Sequence, residues 1–303
     1  MQALLQSIPS MVLIIFLGWF TRRIGFLDER YVNLLNKIII YLALPALIFL
    51  AVRQSQLSLS LVKIPFLAIL VMALCLGLAY VVGRLSNYTS KTFGSFLIAS
   101  SMGNTGYLGF PLTIGLFGYS NLVKAVVYDF GTVVVIFTMG IVIAKKFGEA
   151  GKEGSVIKEF LIFPSTLALV FGLLLHPVPL PKFLLGSINY LGQATIPLIM
   201  LTIGLSLKAE GIGKYWLPLL SLGAIKLVLA PFFAFFVGSL GGLTSQTLGV
   251  FVLEASMPAV MLSLVVGLKY GLDTKFLPVA ILTSTLASLI TIPLGQAILR
   301  LVA

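Results

Sequence analysis

A chain of 303 residues that is 59% hydrophobic and 10% charged, with a mean hydropathy of +1.12, carries more apolar surface than a water-soluble domain can bury. One His and one Cys exclude a disulfide framework and argue against a His/Cys metal site. The net charge of +11 reads as Lys and Arg gathered in the cytoplasmic loops of a membrane protein, not as a nucleic-acid footprint.

Apolar stretches predict ten spans, at 4–22, 31–52, 61–83, 92–118, 122–144, 161–177, 183–207, 215–238, 246–269 and 275–301. The first lacks a basic leader and a small-residue cleavage site, so it reads as a retained span. With the N-terminus outside, the cytoplasmic loops collect Arg22, Arg23, Arg30, Arg84, Lys91, Lys145, Lys146, Lys152, Lys158, Lys208, Lys214, Lys269 and Lys275. The outer side keeps Arg53, Lys63, Lys124, Lys182 and Arg300. That asymmetry puts both termini outside. Residues 146–160, which mix Lys, Glu and Gly, form a cytoplasmic linker between the halves 1–145 and 161–303.

The halves repeat one another. Pro9-Ser10 matches Pro164-Ser165, Pro45 matches Pro197, Pro65 matches Pro218, and Ser101-Met102 matches Ser256-Met257, all at offsets between 152 and 155 residues. Five spans per half is odd, so the second half runs through the membrane in the opposite sense. The expected fold class is an all-α membrane protein of two inverted five-helix repeats, with broken crossover helices at spans four and nine.

Span four is interrupted by Ser101-Met102-Gly103-Asn104-Thr105, with Gly106, Gly109 and Pro111 following. Span nine is interrupted by Glu254-Ala255-Ser256-Met257-Pro258. Gly weakens a helix and Pro removes an amide donor, so Pro258 should leave the carbonyl of Glu254 without its helical partner. Irregular backbone at membrane depth is tolerated only where it lines a cavity or is buried in protein. Half-helix N-termini there suit a carboxylate, and half-helix C-termini with freed carbonyls suit a cation. Ser101, Met102, Gly103, Asn104, Thr105, Ser256, Met257 and Pro258 are therefore the candidate substrate-binding residues.

Three charges fall inside spans: Asp129 in the fifth, with Thr132 one turn on, Lys226 in the eighth and Glu254 in the ninth. Each costs at least about 2.5 kcal/mol at mid-helix and so needs a partner or a wet cavity. Their sum is −1 when all are ionised, which one sodium ion or proton would neutralise. These four residues are the candidates for ion or proton coupling, and a sodium ion near Glu254 is the one bound ion contemplated. No other cofactor is expected. A structural ion pair between Lys226 and one acid is the plainer alternative.

An intramembrane serine protease would need a Ser–His dyad at depth, and the one His, His176, sits beside Pro177 at a span end. A channel would need a continuous polar pore, whereas polarity here concentrates at one midplane locus. A sensor that binds without carrying is the third alternative.

The run Gly103-Asn104-Thr105-Gly106-Tyr107-Leu108-Gly109-Phe110-Pro111-Leu112 closely resembles the signature of the auxin efflux carrier family. Ala43-Leu44-Pro45-Ala46-Leu47-Ile48-Phe49 resembles that family's second span. The resemblance covers essentially the whole chain. It implies the fold of bile-acid/sodium symporters, a dimerising scaffold of spans one, two, six and seven, and a transport unit of spans three to five and eight to ten that moves as an elevator. It implies a homodimer in the lipid bilayer of a bacterial inner membrane, carrying a small organic anion such as malate, malonate or an auxin-like acid. Glu254 resembles the acidic residue that helps coordinate sodium in the bile-acid symporters.

Overall fold

The computed structural model describes residues 2–58, 60–149, 156–206 and 212–302. Among these there is no strand, and six helices are long and apolar enough to cross a membrane. In chain order the helices are α1 (Gln2–Arg23), α2 (Arg30–Arg53), α3 (Ser60–Leu85), α4 (Ser90–Ser101), α5 (Thr105–Phe117) and α6 (Tyr119–Phe147). They continue as α7 (Val156–Leu161), α8 (Pro164–Leu174), α9 (Lys182–Ser206), α10 (Ile212–Leu240), α11 (Ser245–Ala255), α12 (Leu262–Tyr270) and α13 (Phe276–Val302). Large apolar side chains point outward, Leu240 at 88% exposure and Phe183 and Tyr190 at 77%. A lipid-facing surface has that character.

Three helices contain a wide π-type turn one or two residues ahead of a proline. Ile39–Ala43 precedes Pro45, Thr105–Gly109 precedes Pro111 and Ala224–Leu229 precedes Pro231. Proline has no amide to give the carbonyl four residues back, and its ring crowds that carbonyl. Widening the turn moves the neighbouring bonds to i−5: the Leu44 amide donates to Ile39 and the Ala230 amide to Ile225. Pro111 thus lies in the first turn of regular helix, where its missing amide costs little. The interruption expected in span four falls upstream of it, at Met102–Asn104.

The chain divides into two compact units. The first comprises Met1–Leu57, Gly106–Val126 and Leu161–Leu207. Within it α1 lies backbone to backbone against α9. A Cβ at Gly204 would stand 2.0 Å from the Ile15 carbonyl, and one at Gly18 would stand 2.4 Å from the Leu201 carbonyl. Small residues permit such approach, and without them packing in lipid loses its main attraction. Arg53, in the last turn of α2, donates to the carbonyls of Leu175 and Val178, which follow α8.

The second unit comprises Ser58–Thr105, Val127–Phe160 and Lys208–Ala303. Asp273 ties three of its helices together. Its carboxylate caps the start of α13 through the amides of Lys275 and Phe276, at 3.1 and 3.0 Å, and accepts from Thr92 of α4 at 2.7 Å and Tyr215 of α10 at 3.3 Å. Residues 150–155 of the expected linker lie outside the described residues, and the chain on either side of them is structured. Lys145 and Lys146 complete the last turn of α6, Val156–Leu161 is helical, Glu149 pairs with Lys91, and Glu159 pairs with Lys269. Lys152 and Lys208, assigned above to cytoplasmic loops, lie outside the described residues.

Candidate functional site

Both helix interruptions belong to the second unit, and they bond to each other. The Asn104 amide donates to the Pro258 carbonyl at 2.8 Å, and the Val260 amide donates to the Met102 carbonyl at 3.2 Å. Gly103 and Ala259 form an isolated antiparallel bridge between these bonds. Two breaks that would each strand buried amides and carbonyls satisfy one another instead, as any backbone away from water must be satisfied. The sequence alone suggested that the freed carbonyls stood ready for a cation. Those of Met102 and Pro258 are occupied by amides of the opposite break.

The end of α11 is closed residue by residue. The Ser256 amide reaches back to Val252 and Leu253, both at 3.0 Å. The Glu254 carbonyl, denied an amide by Pro258, takes the Met257 amide at 3.3 Å, so it is not left without a partner as the sequence implied. The Ala255 carbonyl would pair with the Ala259 amide in a continued helix. That amide goes to Ser284 Oγ of α13 at 3.1 Å, and the carbonyl receives the ammonium of Lys226 at 2.6 Å.

The polar side chains divide into two kinds. Ser101 and Ser256 each donate to the carbonyl one turn back, Leu97 and Val252, both at 2.7 Å. Their hydroxyl protons are thereby used, while their oxygen lone pairs stay free to accept or to ligate. Asn104 is buried at 3% exposure, with its main chain committed to Pro258. Thr105 donates to the Asp129 carboxylate. Ser100 and Thr132 are buried hydroxyls without a hydrogen-bond partner among the described residues. Met102, Met257 and Glu254 are completely buried.

Every candidate substrate and coupling residue named from the sequence therefore lies in one unit. The contacts join Met102, Asn104 and Pro258 main chains, Thr105 with Asp129, and Lys226 with the end of α11. Lys226 meets a carbonyl there, where the sequence offered a carboxylate as its plainest partner. Two residues went unnoticed. Ser284 carries its signal in Thr283-Ser284-Thr285, a polar cluster within an apolar span. Pro231, five residues after Lys226, follows the wide turn that carries the lysine.

The model of the membrane transport protein family matches residues 3–295. The chain is 33% identical to an uncharacterised transporter of Methanocaldococcus jannaschii, over 95% of this chain and 96% of that one. It is 31% identical to an uncharacterised transporter of Methanothermobacter thermautotrophicus, over 97% and 98%. It is 28% identical to a Rhizobium meliloti protein named "Putative malonate transporter", over 92% and 90%. With its several apolar helices and a family match along nearly its whole length, the chain is an integral membrane protein and belongs to the membrane transport protein family, the auxin efflux carriers.

Proposed function

We propose that this chain is a secondary transporter that moves a small organic anion by alternating access at the paired breaks. The observation that carries the reading is the reciprocal bonding of Met102–Asn104 with Pro258–Val260. It makes four half-helix ends converge on one buried locus. The N-terminal ends of α5 and α12 direct partial positive charge at a carboxylate, and Asn104 supplies a neutral group able to donate to it. An arrangement of ten spans as two inverted five-helix repeats accounts for the matching offsets, and in it both termini lie outside. Spans three to five and eight to ten then move past a scaffold of spans one, two, six and seven, which dimerises through spans two and seven, in a bacterial inner membrane. The net −1 of Asp129, Glu254 and Lys226 calls for a cation or proton in at least one state of the cycle. The Rhizobium relative's name points to a dicarboxylate of malonate size as the first substrate to try.

The test is a thermal-unfolding screen of the purified protein against malonate, malate and indole-3-acetate, followed by Asn104→Ala with whichever acid stabilises. Ligand that binds the folded state raises the apparent melting temperature by mass action. Asn104→Ala keeps the main-chain bond to Pro258 and removes only the side-chain amide. Affinity should fall about 10- to 100-fold, the worth of one hydrogen bond to a charged group, with the ligand-free melting temperature unchanged. Unaltered affinity in the variant would remove the break from the binding site.

A further inference from the structure

The chain leaves the second compact unit and enters the first between Thr105 and Gly106, just past Asn104. A side chain on each side of that passage is tied down. Thr105 donates to Asp129, within the second unit. Tyr107, two residues on, donates from its hydroxyl to Oδ1 of Asn36 in α2 at 3.0 Å, within the first unit. Both side chains of this second bond are half-buried. Beyond Tyr107, the Phe110–Phe117 part of α5 packs against α1. By its contacts α5 therefore goes with α1 and α2, whereas by its place in span four it belongs to the spans that the carrier reading sets in motion. Irregular backbone lies at both ends of the tie. Tyr107 is inside the wide turn Thr105–Gly109, and Asn36 stands three residues ahead of the wide turn Ile39–Ala43. Wide turns of this kind recur at functional sites.

We propose that the Tyr107–Asn36 hydrogen bond is a catch, which holds α5 to α2 in this conformer and opens once in every transport cycle. The inference rests on the carrier reading above and adds to it the contact whose opening sets the pace of the movement. In that reading α2 is scaffold and α5 moves, so a bond of 3.0 Å between their side chains does not survive the displacement. A neutral hydrogen bond shifts an equilibrium by about 2- to 10-fold. That is enough to favour one conformer and weak enough to break in each cycle. The bond is made in the resting conformer and lost on the way out of it. An interaction confined to the starting state slows the step that breaks it, so its removal should speed carriage.

The experiment has two arms, and the first needs no substrate. Tyr107→Phe removes only the hydroxyl, and Asn36→Leu removes the acceptor at similar volume. Deuterium uptake by α5 amides is followed in the purified wild type and both variants, with α9 as the internal reference. In each variant α5 should exchange about 2- to 10-fold faster while α9 stays as in wild type. Unchanged exchange in α5 would overturn the proposal. In the second arm, malonate counterflow is measured in proteoliposomes. Each single variant should carry about 2- to 10-fold faster than wild type, and the double variant no faster than either, since all three lack the same bond. Variants no faster than wild type would overturn the catch, because losing a bond that merely supports the fold brings no gain in rate. If Asn36→Leu does not fold, Tyr107→Phe decides both arms. No counterflow by any of the proteins would strike at the carrier reading alone, because the exchange comparison judges the catch without it.

Discussion

The Ala259 amide turns away from the Ala255 carbonyl and donates to Ser284 Oγ at 3.1 Å. One side chain from α13 thereby keeps α11 from continuing and leaves its last carbonyl to Lys226. Ser284 itself is anchored by donating to the Ala280 carbonyl at 2.6 Å. The break after α11 is therefore held open by a partner outside it, in addition to Pro258.

Ser284→Ala should orphan a buried amide and destabilise the protein by about 1–3 kcal/mol. Ser284→Thr retains the oxygen and should remain near wild type. Thermal unfolding of the two variants gives the comparison. Equal melting temperatures for Ala and Thr would show that the hydroxyl does not support the break.

Gly204→Ala should be severe, since its Cβ would fall 2.0 Å from the Ile15 carbonyl and force α1 away from α9. Gly186→Ala, in the same helix with nothing within 4 Å, should be neutral or slightly stabilising. Yield of monodisperse protein and melting temperature measure both. A Gly204→Ala variant as stable as Gly186→Ala would contradict the close packing.

Glu254→Gln should keep the fold, because amide and carboxylate have nearly the same shape, while removing the titrating group. Uptake by wild type should rise with an inward proton gradient at constant voltage, and uptake by the variant should ignore it. A variant that still follows the gradient would make Glu254 structural.

What could be read in advance was local. Gly103, Gly106 and Pro258 within apolar spans mark helix interruption, and Asp129, Lys226 and Glu254 announce themselves by their cost in lipid. The partners of the breaks were not legible. That Asn104 bonds to Pro258, 154 residues away, depends on how helices come together, and no local pattern encodes it. Pro111 does not itself break the helix: it lies in the first turn of the regular segment that follows the wide turn Thr105–Gly109. Lys226 sits in the wide turn Ala224–Leu229, and position in the span did not disclose that it meets a helix end.

The central claim is carriage of an organic anion through the paired breaks, and counterflow tests it most directly. Proteoliposomes holding the purified protein are loaded with unlabelled malonate, malate or indole-3-acetate and exposed to the same acid carrying a radioactive label outside. The account predicts transient, saturable accumulation of label for at least one of these acids, half-saturating at about 10- to 100-fold higher concentration in Asn104→Ala. Folded wild-type protein that shows no counterflow with any of them, or passes them without saturation as a pore does, would contradict it.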